Sequence, residues 1–137
     1  MKFNPLIKVF GDVSYRGESP SEASEQATFL NRLRVQYPAL FAIAVHIKNE
    51  GKRSMSQVSK DKAQGLKKGA PDIMIPCSPP ILIELKQKNH TKSRWQTGQQ
   101  EFLIAAQEQG AFVCVAIGAD GAMLAIQYYL DNKKAPD

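Results

Sequence analysis

Two short apolar runs in this sequence carry charge where a buried strand should carry none. Asp72-Ile73-Met74-Ile75 follows Gly69-Ala70-Pro71, and Ile81-Leu82-Ile83-Glu84-Leu85-Lys86 follows the Pro-rich connection Pro76-Cys77-Ser78-Pro79-Pro80. Both runs read as strands, about Asp72–Ile75 and Ile81–Lys86, joined antiparallel by that tight connection. Strand side chains alternate faces, so Glu84 and Lys86 project from one face while Ile83 and Leu85 fill the other. An acid and a base placed together at a strand end cost free energy unless something uses them. Asp72 opens one strand and Glu84 lies late in the next, so their side chains can converge near one end of the sheet.

The rest of the chain supplies elements to flank these strands. Leu6–Phe10 is compatible with a short strand inside a loop-rich lead-in. Ser19-Pro20-Ser21-Glu22 spells a capping box, with Ser19 as N-cap and Pro20 at the first helical position. It predicts a helix to about Gln36, ended by Tyr37-Pro38 because the residue before proline avoids helical angles. Ala39–Ile47 reads as a strand, residues 48–54 as a polar loop and Ser56–Leu66 as a short exposed helix. Gln87–Arg94 is a polar, basic loop. Thr97-Gly98-Gln99-Gln100 spells a second capping box, opening a helix through Gln109 with Gly110 as its stop. Ala111–Ile117 is an apolar, β-branched run that reads as a buried strand. Gly118–Gly121 reads as a turn and Ala122–Leu130 as a final helix. The pattern predicts an α/β fold, a mixed β-sheet flanked by helices, without internal repeats.

Composition narrows the functional classes. The chain has 137 residues, which suits one domain with its own core. It contains no apolar run near the roughly 18–20 residues of a membrane span. Its start lacks the apolar core of a signal peptide, so an intracellular location is expected. Cys77 and Cys114 lie far apart and imply neither a zinc site nor a disulfide framework; both are expected as buried free thiols. The formal charge of +5 permits a polyanionic partner.

Phosphodiester hydrolysis requires an activated water, charge relief at the transition state and help for the departing oxygen. Divalent ions held by clustered carboxylates supply all three. Magnesium takes oxygen ligands and keeps several waters, so Asp72 and Glu84 suffice as protein carboxylates, with the Leu85 carbonyl as a third ligand. Lys86 would orient the attacking water or neutralise phosphate oxygens. On spacing alone a bland reading stays open, with Glu84 and Lys86 a solvated pair on an edge strand and Asp72 a turn residue after Pro71. Two helices offer further polar groups. Glu22 falls near the centre of the Phe29/Leu30/Leu33 stripe, whereas Glu25 lies toward its edge. Glu22 is the upstream acid preferred, Glu25 the fallback, and a purely capping Glu22 the alternative. Gln99 shares a face with Phe102, Leu103 and Ala106, which points its amide inward, toward the site or a capping role.

Taken in order, these residues resemble the PD-(D/E)XK nucleases, and specifically the virus-type replication-repair nuclease (VRR-NUC) branch in its phage and bacterial stand-alone form. That branch reads Gly-x-Pro-Asp, then an apolar strand with Glu-x-Lys, then a helix opening with Gln and closing before Gly and a Val-rich strand. Here these are Gly69-Ala70-Pro71-Asp72, Glu84-Leu85-Lys86, Gln99, and Gly110 followed by Val113 and Val115. Upstream, Glu22 with Gln26, Phe29-Leu30 and Asn49-Glu50-Gly51-Lys52-Arg53 fit in the same order. The resemblance spans about Ser21 to Leu130. Lys48 stands where the family often has proline, and the loop after Lys86 is longer and more basic than usual, which leaves substrate preference open.

The resemblance implies a restriction-endonuclease-like core over 19–130, after a lead-in of 1–18 and before a tail of 131–137. It implies a Mg2+-dependent DNA endonuclease, with Mn2+ able to substitute. Asp72, Glu84 and the Leu85 carbonyl would hold the ion, Glu22 would assist directly or through water, and Lys86 and Gln99 would complete the catalytic set. A homodimer, branched DNA such as Holliday junctions, a role in DNA repair and a phage or prophage origin are implied with it. Lys52, Arg53, Lys67, Lys68, Lys88, Lys92 and Arg94 lie in predicted loops beside the motifs and form the expected phosphate-contacting set. Trp95 is read as packing rather than stacking on a base, and His46 and His90 as structural or solvated. Two alternatives remain: a non-cleaving DNA-binding or assembly module of the same fold, and a nuclease preferring flap, nicked or single-stranded DNA.

Overall fold

The computed structural model describes residues 1–47, 59–60, 63–65 and 69–133. In chain order its elements are β1 (Lys8–Phe10), α1 (Glu22–Gln36), α2 (Pro38–Phe41), β2 (Val45–His46), β3 (Ile73–Ile75) and β4 (Ile81–Lys86). A 3-10 turn (His90–Lys92) follows, then α3 (Gln99–Glu108), β5 (Phe112–Ile117) and α4 (Gly118–Asn132). The strands form one sheet in the order β1-β5-β4-β3-β2. β1, β5 and β4 run parallel, while β3 and β2 are antiparallel to their neighbours. The mixed α/β sheet expected from the sequence is therefore present, with β4 at its centre.

Alternation along β4 divides the core into two layers. Ile81, Ile83 and Leu85 join Phe29 and Leu33 of α1 and Ala122 and Ile126 of α4 on one face. Leu82 joins Leu103 of α3 and Val113, Val115 and Ile117 of β5 on the other. Burying Phe29 and Leu33, both at 0% exposure, contributes on the order of 1.5–3 kcal/mol each. Glu84 and Lys86 continue the Leu82 stripe and so lie under α3. Cys77 and Cys114 are free thiols, the first partly and the second fully buried, and no described helix is long and apolar enough to cross a membrane.

Several elements differ from expectation, each for a local or long-range reason. The N-cap of α1 is Ser21, whose hydroxyl accepts from Ser24 N at 3.1 Å, so Glu22 is the first helical residue. Ser19 is used elsewhere, accepting from Asn89 N at 3.2 Å. Over 39–47 the expected strand gives way to α2 through Phe41, because Pro38 is suited to a first helical position, and then to a turn at 42–43; only Val45–His46 is a strand. Thr97 does not cap α3, whose N-cap is Gly98 with no side-chain bond. Residues 118–121 form the first turn of α4 rather than a loop. Ala119 N donates to the Glu25 carboxylate, a cap supplied from α1. The loop over 48–54 and most of the helix expected over Ser56–Leu66 lie outside the described residues, as do 134–137.

Gly121 shows why α4 can lie so close to the sheet edge. A Cβ there would fall 2.4 Å from the Phe10 carbonyl oxygen of β1, a backbone atom that cannot rotate away. Gly121→Ala is therefore expected to destabilise the fold by about 1–3 kcal/mol through overpacking, measured by denaturant melts. A melt equal to that of the parent protein would show that α4 and β1 do not approach this closely.

Candidate functional site

The antiparallel register pairs Ile73 with Ile83, and one further residue sets Asp72 opposite Glu84. The Asp72 carboxylate turns along the strand end, where its Oδ2 accepts from Leu85 N at 2.8 Å. Its backbone carbonyl accepts from Ile47 N at 2.8 Å and from His46 Nδ1 at 3.1 Å, which ties it to β2. Gly69 brings this segment against the start of α3. A Cβ on Gly69 would fall 2.2 Å from the Gly98 carbonyl carbon, at a φ of +82° that favours glycine.

Glu84 and Lys86 are 1% and 2% exposed, and Gln99 only 3%. This disposes of a solvated edge-strand pair, since β4 is the central strand. Gln99 Nε2 donates to Glu84 Oε1 at 2.9 Å. Gln99 Oε1 accepts from Gln96 N at 2.8 Å and from Lys86 Nζ at 3.4 Å. Lys86 Nζ also stands 3.4 Å from Glu84 Oε1 and donates to the Arg94 carbonyl at 3.1 Å. The amide thus reads a carboxylate with its donor end and an ammonium with its acceptor end. Gln99 closes a buried acid–amide–base network rather than acting only as a cap.

These groups open onto a cleft of about 840 Å³, which Glu22, Gln26, His46, Lys92, Ser93 and Arg94 also line. Glu22 Oε1 accepts from Ser93 Oγ at 3.0 Å on the cleft wall. Glu25 faces away toward α4 and a separate cavity, so of the two upstream acids only Glu22 reaches the cleft. Lys92 and Arg94 are at the cleft, whereas Lys88 lies 4.3 Å over the Tyr15 ring and borders the second cavity. Lys52, Arg53, Lys67 and Lys68 lie outside the described residues. Trp95 packs with the α3-side core and donates from Nε1 to the Lys2 carbonyl at 2.8 Å. His90 is buried and bonds the Val13 carbonyl at 3.0 Å. His46 and Ser93 are cleft residues that no local sequence signal marks; both are brought there by chain segments distant in sequence.

The surroundings of the carboxylate pair fit a metal. Glu84 Oε2 is buried with no hydrogen-bond partner among the described residues. Burial pushes the Glu84 carboxyl well above its ordinary value of 4.5, the neighbouring Asp72 pushes it further by its charge and by a hydrogen bond to the protonated form, and Lys86 opposes them. Two carboxylates side by side with one buried oxygen unsatisfied suit a hard divalent cation. Among the described residues no three His, Cys, Asp or Glu side chains are grouped to hold a metal. The remaining ligands would be carbonyl oxygens such as that of Leu85, and water, as magnesium accepts.

No family model matches the chain, and no curated protein matches it. Among solved structures, the chain is similar to one described as a "VRR_NUC domain protein". The TM-score is 0.69 at 24% identity, over 85% of this chain and 92% of the other. The fold is thus an α/β restriction-endonuclease-like core, and the VRR_NUC likeness suggested by the sequence motifs is present in three dimensions.

The raised Glu84 carboxyl has a consequence for stability. Above pH 4.5 the folded state binds a proton that the unfolded chain has released, so stability falls as pH rises through the raised value. Asp72→Asn removes the neighbouring charge while leaving an oxygen to accept from Leu85 N. In chelator at pH 8 it is expected to raise stability by on the order of 1 kcal/mol, a Tm gain of roughly 4 °C for a chain of this size. The gain should shrink toward pH 5. Equal melting temperatures at pH 8 would show that the two carboxylates do not act on one another.

Proposed function

We propose that this protein is a metal-dependent DNA endonuclease. The observation that carries the reading is the Glu84 carboxylate, buried beside Asp72 with one oxygen unsatisfied and with Lys86 and Gln99 packed against the other. Without a cation that oxygen is left to share a proton with Asp72, in line with the raised Glu84 carboxyl, and a divalent ion would take the place of that proton. The fold shared with a VRR_NUC domain protein supports the same conclusion.

Asp72, Glu84 and the Leu85 carbonyl would hold Mg2+, or Mn2+ in its place. The ion would supply charge relief at the phosphate and lower the pKa of water. Lys86 holds its ammonium within reach of the same face and offsets charge on the phosphate or orients the nucleophile. Gln99 fixes the relative position of Glu84 and Lys86, so little reorganisation remains at the moment of reaction. Glu22 contributes from the cleft wall. Lys92 and Arg94 guide the phosphate backbone into the cleft.

A chain whose described residues form one such cleft would cut two symmetry-related strands by pairing, which favours a C2 homodimer. With the family likeness, this makes branched DNA, including four-way junctions of the kind met in repair and phage replication, the preferred substrate class. The test is a cleavage panel of four-way, flap, nicked and linear DNA with magnesium or chelator. Magnesium-dependent cleavage of the branched substrates is expected, and Asp72→Ala, Glu84→Ala or Lys86→Ala should slow it at least ~10²-fold while binding persists. No magnesium-dependent product from any substrate would instead favour a non-cleaving DNA-binding module.

Placement of the basic residues gives a second expectation. Neutralising Lys92 and Arg94 should flatten the salt dependence of DNA binding by about one unit of log–log slope for each phosphate left without its cation. Lys88→Ala, directed to the other cavity, should leave the slope unchanged. Equal effects of all three substitutions would move the DNA path off this cleft.

A further inference from the structure

Among the buried side chains of the basic loop between β4 and α3, an uncharged one reaches the cleft. Ser93 is 8% exposed. Its Oγ accepts from Gln87 N at 3.3 Å and donates its single proton to Glu22 Oε1 at 3.0 Å. Ser93 N donates to the His90 carbonyl at 3.0 Å, closing the 3-10 turn. The same loop is pinned to the segment leading into α1, since Asn89 Nδ2 donates to the Gly17 carbonyl and Asn89 N to Ser19 Oγ, both at 3.2 Å. The next residue, Arg94, offers its carbonyl to Lys86 Nζ at 3.1 Å. Adjacent residues of one pinned loop therefore hold an acid from α1 and the lysine from β4.

A carboxylate in the first turn of a helix has several rotamers open to it, and a proton donor on a fixed backbone selects one. We infer that Ser93 is a positioning residue for Glu22, holding its carboxylate on the cleft wall toward a divalent ion bound by Asp72 and Glu84. This rests on the metal-dependent reading above. Glu22 forms no three-acid group with Asp72 and Glu84, so its reach to that ion is suited to an intervening water. A carboxylate in that role gains most from a fixed orientation, because the water fixes no direction by itself.

The test is calorimetric titration of DNA-free protein with Mg2+ alone. Ser93→Ala should weaken Mg2+ binding about 10-fold, as for loss of a group that orients a metal-site carboxylate. Ser93→Thr, which keeps the hydroxyl, should bind as the parent protein does. Glu22→Gln should show a loss similar to that of Ser93→Ala, and adding Ser93→Ala to it should cost nothing more, because the serine acts through that carboxylate. Unchanged Mg2+ binding in Ser93→Ala overturns the inference, as does an equal further loss in the Glu22→Gln background. Should Ser93→Ala fail to fold, parent-like Mg2+ binding by Glu22→Gln overturns it as well. Asp72→Asn separates the two levels: if it binds Mg2+ normally, the metal reading itself falls and takes this inference with it. If Asp72→Asn loses binding while Ser93→Ala does not, only the role of Ser93 is lost.

Discussion

Glu84 lies at the centre of the sheet with its carboxylate almost out of water, and desolvating a carboxylate costs several kcal/mol unless partners replace its hydration. Gln99 and Lys86 replace part of it, on one oxygen only. The other oxygen and the adjacent Asp72 remain an electrostatic liability, visible in the upward push on the Glu84 titration. The surrounding architecture answers to that demand. α3 begins where it does because Gly69 lets its backbone approach that of Gly98 and Gln99, and that approach delivers the Gln99 amide to the carboxylate. The loop before α3 turns back so that the Arg94 carbonyl meets the Lys86 ammonium.

The other face of the sheet has a different task. Ile83, Leu85, Phe29, Leu33 and Ile126 form a dry layer that fixes β4 from behind. With that layer rigid, the residues alternating with it cannot relax away from the cleft when charges crowd together. Stability stored in one face thereby holds an unfavourable arrangement on the other. Glu22 and Glu25 divide labour between the same two regions. Three residues apart on α1, one reaches Ser93 at the cleft and the other caps the first turn of α4.

Much of this is legible without the fold. The runs ending at Ile75 and Lys86 are β3 and β4, and the apolar run after Gly110 is β5, because strand periodicity and turn residues act locally. The shared face of Glu84 and Lys86 follows from the pleat alone, and the inward amide of Gln99 from helix periodicity. Caps are less legible. Ser19, Pro20 and Glu22 satisfy a capping pattern that Ser21 takes over, since Ser19 instead accepts from Asn89 N in a distant loop. The glycines at 118 and 121 read as a turn, yet they open a helix whose cap comes from Glu25 and whose close approach to Phe10 requires a missing side chain.

Residue order alone sets the alternation of apolar and polar positions, and with it the α/β class, the strands that carry Asp72, Glu84 and Lys86, and the helix that carries Gln99. These depend on residues a few positions apart, where propensity and periodicity act. Packing in three dimensions is what makes β4 central rather than an edge, brings Glu22 and not Glu25 to the cleft, turns Lys88 to another cavity, and sets Ser93 against Glu22. Each of those depends on segments brought together across the sheet, and no local pattern encodes which partner a buried polar group will find.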